Sequence, residues 1–173
     1  MLKRDKDVFM ALVSGDNDQV RAALLELSAR ESGHFEDHPI SRKLVKEHLA
    51  QLVELWHLNP VDGCRDWALQ FVADSGLSEP AVKPLILAAL ADPMCAFLPT
   101  VLYLMSTQPL LYEDVGSLLI PLTKHADEQV RWRVAYFAAQ LKSRSADIRA
   151  AIDALRSDPF DLTKIYVRQC DEA

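Results

Sequence analysis

Asp127-Glu128-Gln129-Val130-Arg131-Trp132-Arg133-Val134-Ala135-Tyr136-Phe137-Ala138-Ala139-Gln140-Leu141 is the stretch that decides the fold. Its aspartate stands where a helix N-cap acceptor belongs, and neither Gly nor Pro interrupts the fourteen residues after it. At about 100° per residue, Val130, Val134, Phe137 and Leu141 form one narrow apolar stripe that must face a core. Trp132 and Tyr136 fall on the opposite side, one turn apart, with Gln140 above them and Arg133 flanking. Arginine exposed beside aromatic rings is the composition of a binding hot spot. The alternative is that Trp132 packs against a neighbouring pair of helices.

The same punctuation recurs on both sides. Asp62, Asp92, Asp127 and Asp158 each precede an apolar helical pattern, at spacings of about 30, 35 and 31 residues, within the range of stacked helical hairpins. Asp92-Pro93 and Asp158-Pro159 place an acceptor before a proline suited to the first helical position. Asn59-Pro60, Ser78-Glu79-Pro80, Ser41 and Ser145 mark further starts. Stripes such as Leu44, Leu49, Leu52 and Leu55, or Ile148, Ala151, Ile152 and Leu155, keep helical spacing. Leu and Ala make up about a quarter of the chain, and no sustained period-two alternation occurs, so strands are not expected. First helices are placed near 3–14, 41–57, 79–91, 111–125 and 145–156, and second helices near 18–30, 62–74, 93–106, 128–141 and 159–170. A turn at residues 14–18 joins the first pair, and residues 31–39 form the one long polar insertion. The expected fold is an all-α, right-handed stack of about five antiparallel hairpins in a single helical-repeat domain, 1–173. A non-repetitive helical bundle is the competing arrangement.

The segment 127–141 resembles the second helix of a HEAT repeat: a loop aspartate, then Val130-Arg131, then Ala135 and a late Leu141. Asp18-Gln19-Val20-Arg21 repeats the Asp-to-Val-Arg part, and Asp62-Gly63-Cys64-Arg65 with Ala68 is a weaker copy. Pro84 and Pro121 match the proline kink of first helices in such repeats. The copies at Asp92 and Asp158 lack the arginine. The short period is most similar to bilin-lyase-type HEAT variants. The resemblance implies a HEAT-like superhelix in which Arg131 bonds the loop aspartate of its own or the adjacent repeat, with Asp127–Arg131 and Asp62–Arg65 suitably spaced. It implies little about function, because function sits in sites rather than folds.

Bulk properties narrow the classes. Half of the 173 residues are hydrophobic, enough for a packed core and too many for a disordered chain. No apolar run approaches the ~18–20 residues that span a bilayer. Asp5 and Asp7 interrupt the basic start, so no signal peptide is read. Cys64, Cys95 and Cys170 are an odd number without a CxxC pair and read as reduced small hydrophobes of a cytoplasmic protein. A net charge of −6 opposes general nucleic-acid affinity.

Sites of specific chemistry are few. His34 and His38, with Glu31, Glu36 and Asp37, are metal-ligand types, yet Gly33 and Pro39 deny them a shared helical face, and a polar loop without metal is the preferred reading. His48, His57 and His125 read as helix-surface or helix-end residues. No nucleophile elbow, Walker loop, dinucleotide-binding glycine pattern or His-Glu-x-x-His occurs, so no catalytic residue and no cofactor are assigned. The uncharged stretch 93–106 is apolar on nearly every side and reads as a central buried helix kinked at Pro99.

These readings lead to a non-catalytic protein-binding module that presents its second helices as a concave strip. Placing Val20, Cys64, Met94, Val130 and Leu162 at equivalent positions puts Glu26, Arg30, Asp66, Gln70, Asp74, Ala96, Thr100, Trp132, Tyr136, Gln140, Lys164 and Arg168 opposite the core stripe. Trp132, Arg133 and Tyr136 would be the energetic centre, and Asp66 and Asp74 would orient the partner. The acidic charge favours a basic partner, as for a bacterial immunity protein covering a basic toxin. The alternatives are a nucleic-acid-binding or base-excising protein using Trp132, Arg133, Lys164 and Arg168, and a lyase-type enzyme subunit. The expected core contains Leu24, Leu27, Leu52, Ala68, Phe71, Leu98, Val101, Val134, Phe137, Leu141, Ile152 and Leu155.

Overall fold

The computed structural model describes residues 5–28, 42–58, 64–74, 80–92 and 95–172, and every regular element among them is helical. Contacts divide the chain into two units, Met1–Leu85 and Ile86–Ala173. None of the described helices is long and apolar enough to cross a membrane.

In the first unit, α1 (Asp5–Leu12) packs on α2 (Asn17–Ser28), and α4 (Leu49–Leu58) packs on α5 (Cys64–Asp74). The turn between α1 and α2 needs Gly15, whose φ of 74° lies in the left-handed region. Asp16 then caps α2 by accepting the Asp18 and Gln19 N–H groups. The expected helix at 41–57 is divided into α3 (Arg42–Glu47) and α4. At the break, the His48 N–H is shared between the Leu44 and Val45 carbonyls, which tightens the chain locally. His48 therefore stands at a helix end, one of the two placements expected of it. It is half-buried, with its ring edge-on to Phe9 at 5.9 Å. Phe9 in turn meets Phe71 edge-to-face at 4.9 Å, and both are fully buried. The expectations at Ser41, His57, Asn59-Pro60, Asp62–Arg65 and Ser78-Glu79 lie outside the described residues or side chains.

A 3-10 turn (Pro80–Val82) leads into α6 (Lys83–Leu90), which carries the boundary between the units. The second unit then holds α7 (Leu98–Thr107), a 3-10 turn (Pro109–Tyr112), α8 (Gly116–Leu122), α9 (Glu128–Gln140), α10 (Ala146–Leu155) and α11 (Asp161–Glu172). Helix α9 lies between α7 and α11, while α10 packs on α8 and also touches α9 and α11. Asp127 caps α9 through the Gln129 N–H, and Ser145 caps α10 through the Ile148 N–H. All twelve side chains expected in the core are buried.

Three local expectations are corrected. Pro99 lies in the first turn of α7 rather than mid-helix. Its missing N–H costs nothing there. Asp158-Pro159 does not open the last helix, because α11 starts at Asp161 and Asp158 instead accepts the Phe160 N–H ahead of it. Leu162 does not join the core line, being 38% exposed, and the buried line of α11 is Thr163, Val167 and Cys170. The Asp92-Pro93 start falls partly outside the described residues, as does Met94.

The partner of Asp158 is Arg131. The arginine Nε donates to the Asp158 carboxylate, and its Nη1 donates to the His125 and Ala126 carbonyls. The arginine thus bonds the aspartate of the adjacent loop rather than Asp127, one of the two options the repeat pattern allowed. The pair is largely withdrawn from water, with side-chain exposures of 16% and 5%. Burial alone would raise the Asp158 pKa, but the hydrogen bonds from Arg131 and Phe160 and the guanidinium charge outweigh it and hold the carboxyl below its ordinary value.

Where α8 meets α10, the fold depends on a missing side chain. A Cβ on buried Gly116 would stand 2.6 Å from the Asp147 Cβ and 3.0 Å from the Ile148 backbone nitrogen. The two helix starts can approach this closely only across a glycine.

Stability should respond at three positions. Phe137→Ala, at a fully buried site, should cost about 3–5 kcal/mol in chemical denaturation; a change below about 1 kcal/mol would place the core on another face of α9. Gly116→Ala should cost about 1–3 kcal/mol by forcing α8 away from α10, and a neutral result would refute the close approach. For Asp158, the folded carboxyl binds its proton less readily than the unfolded one. Its contribution is therefore full above the ordinary aspartate value of about 3.9 and is lost as pH falls through the lower folded value. Asp158→Asn should cost about 3–5 kcal/mol at neutral pH and flatten the acid limb of the stability–pH curve. Parallel wild-type and variant curves would remove Asp158 from the acid response.

Candidate functional site

Residues 132, 133 and 136 point where the stripe argument sends them, away from the buried Val130–Val134–Phe137 line of α9. They do not stand alone there. The Trp132 ring stacks on Tyr166 of α11 at 5.8 Å with 21° between planes, and Tyr136 meets Tyr166 edge-on at 4.9 Å. Trp132 and Tyr136 approach each other at 6.1 Å. The indole N–H donates to the Gln129 side-chain oxygen, 2.9 Å away and one turn earlier. Trp132 therefore packs against the neighbouring helix and is half-buried.

The Arg133 guanidinium carbon lies 4.6 Å from the Trp132 ring centroid and 6.0 Å from that of Tyr103 on α7. Such placements are attractive through the ring quadrupole. Arg133 makes no ion pair with any described residue, and its buried Nε has no hydrogen-bond partner among them.

Together these side chains wall a hollow of about 540 Å³, lined by Pro99, Thr100, Tyr103, Trp132, Arg133, Tyr136 and Tyr166. Three helices build it, with α9 as the floor and α7 and α11 as the sides. Its interior is mainly aromatic, with one cationic group on the wall. It offers ring faces for an apolar or cationic side chain and a guanidinium for an acceptor. No Asp, Glu, His, Lys, Cys or Ser is among its lining residues.

The other expected site residues distribute differently. Thr100 joins the hollow as expected, whereas Gln140, Lys164 and Arg168 are not among its lining residues. Lys164 turns back to donate to the Pro159 carbonyl and the Asp161 carboxylate, and Arg168 is exposed. Gln70 is half-buried on α5, in the first unit. The side chains of Asp66 and Asp74, and residues Arg30, His34 and His38, lie outside those described. Among the described residues, no group of three or more His, Cys, Asp or Glu is placed to hold a metal ion.

Tyr103 and Tyr166 were not singled out by the sequence. Tyr103 sits in the uncharged stretch read as buried all round, yet it is 54% exposed. Tyr166 was hidden by a register shift. Aligning Leu162 with Val130 sent Lys164 and Arg168 to the partner face, whereas the buried Thr163–Val167–Cys170 line shifts the helix by one residue, or about 100°. The i, i+4, i+7 spacing of that line was legible, but its leading member is a threonine.

No protein-family model matches the chain, and no curated protein or solved structure matches it either.

Proposed function

We propose that this chain is a non-catalytic protein-binding module whose contact centre is the Trp132–Arg133–Tyr136 hollow, completed by Tyr103 and Tyr166. The observation that carries the reading is an arginine set against two aromatic rings at the edge of a cavity, without a carboxylate partner among the described residues. Trp, Tyr and Arg are the residues that dominate interface energetics, above all in hollows that exclude water. The partner seats an apolar or basic side chain on the rings, and a backbone carbonyl beside it takes the Arg133 donors. The net charge of −6 steers a basic partner toward the chain, and an inhibitor or immunity protein acting on a basic enzyme is one form of such a module. The side-by-side order α7–α9–α11, with α8 and α10 behind, is what a HEAT-like hairpin stack would produce in the second unit and supports that reading of its architecture.

The test is a selection of displayed random peptides on the immobilised protein. Enriched sequences should share an aromatic or aliphatic anchor flanked by Lys or Arg. Trp132→Ala should weaken the selected peptides by roughly 2 kcal/mol or more. Tyr103→Ala, at an exposed position, should weaken them while leaving Tm unchanged. Peptides that bind both variants as tightly as wild type would move the binding site elsewhere. A single-stranded oligonucleotide bound at low salt, and lost with Trp132→Ala, would replace protein recognition by base stacking.

A further inference from the structure

A second hollow, sharing no residue with the first, lies between α10, α11 and the loop joining α9 to α10. It encloses about 250 Å³ and is lined by Arg144, Arg149, Ile152, Asp153, Arg156, Cys170 and Asp171. Three guanidinium groups and two carboxylates line it, in a chain whose overall charge is negative.

The charges are not evenly paired. Arg156 takes both aspartates: its Nη1 and Nη2 donate to the two Asp171 oxygens at 2.8 and 2.7 Å, and its Nε donates to Asp153 at 2.9 Å. That bidentate hold, with the Arg144 charge beside it, keeps the Asp171 carboxyl below its ordinary range. Arg144 and Arg149 have only carbonyl acceptors. Arg144 donates through Nε to the Ala138 carbonyl and through Nη1 to the Cys170 carbonyl, and Arg149 donates through Nη1 to the Arg144 carbonyl. Neither forms an ion pair with a described residue. The Arg144 Nη2 is buried and has no acceptor among the described residues.

We propose that this hollow binds an oxyanion of the phosphate class. Arg144 and Arg149 bond no carboxylate among the described residues, and three guanidinium groups against two carboxylates leave the lining one net positive charge, which attracts an oxyanion. The open donors belong to two side chains anchored at different points, Arg144 in the loop and Arg149 on α10. A planar carboxylate saturates one guanidinium fork, whereas a tetrahedral ion offers acceptors in three dimensions to both. Arg156 forms the far wall and takes both Asp171 oxygens and one Asp153 oxygen, and neither aspartate hydrogen-bonds Arg144 or Arg149. The Arg144 Nη2, which has no acceptor among the described residues, is the donor left for the anion. The same chemistry is offered by free phosphate and by a phosphoryl group carried on a larger molecule.

Titrations of the full chain with inorganic phosphate, O-phosphoserine and acetate at matched ionic strength test this, read by calorimetry and by Tm. Both phosphoryl compounds should bind and raise Tm with concentration, while acetate should not. Tighter binding of O-phosphoserine assigns the site to a phosphorylated molecule, and equal or weaker binding assigns it to the free ion. Arg149→Gln removes an exposed side chain whose only bond is to a carbonyl, so Tm without phosphate should stay unchanged while affinity falls roughly tenfold or more. Arg144→Lys keeps the charge but loses the fork and should weaken binding as well. Absence of phosphate binding, equal stabilisation by acetate, or unchanged affinity in Arg149→Gln would each overturn the assignment. None of these outcomes bears on the aromatic hollow, whose peptide selection is read independently.

Discussion

Much of the second unit depends on one buried pair, Arg131 with Asp158. The arginine leaves α9 and ties together three backbone segments: the approach to α9 at His125 and Ala126, α9 itself, and the loop before α11. Each end of the pair is costly to leave alone in a site so dry. Satisfied together, they fix where α11 begins beside α9. Trp132 is the next residue along, and its stack on Tyr166 is possible only while α11 keeps that position. The structural arginine and the candidate binding tryptophan are thus neighbours in sequence with opposite duties, one turned to the adjacent loop and one to the hollow.

The helices were legible because their boundaries carry local chemistry. Asp127 and Ser145 accept from backbone N–H groups as their sequence positions suggest, and buried side chains keep a period of about 3.6 residues. Helix α2, however, is capped by Asp16 rather than by Asp18, the loop aspartate of the repeat pattern. Reading failed where one residue serves two purposes. Asp158 looks like a cap because it precedes a proline, but its carboxylate is committed to a partner 27 residues away in sequence. Nothing local announces that. The resulting one-residue slip in α11 concealed Tyr166 and promoted Lys164 and Arg168 in its place. Pro99 misled for the opposite reason: a proline within an apolar run is compatible with a kink or a start, and only the beginning of α7 at Leu98 decides.

The candidate site was visible in half. Trp132, Arg133 and Tyr136 lie on one helix, so a helical wheel brings them together. Tyr103 and Tyr166 come from helices on either side, and a single sequence carries no signal for which rings meet across three elements. The arginine hollow was less visible still. Arg144, Arg149, Arg156 and Asp171 belong to a loop and two helices, and their relation depends on which carboxylates are already taken. Ion pairing is a property of the folded arrangement, since exposed Lys, Arg, Asp and Glu are common on any surface.

Helix α11 is held at both ends. At its entry, Asp158 grips the Phe160 N–H while bound to Arg131, and toward its exit Arg156 clasps Asp171 while Arg144 bonds the Cys170 carbonyl. A helix secured this way resists progressive fraying and opens as a block, so its amides should exchange with solvent hydrogen together rather than in a gradient. Tyr166 and Asp171 would then leave their two hollows in the same opening event. The free energy of that one event sets the fraction of molecules in which both hollows are open together.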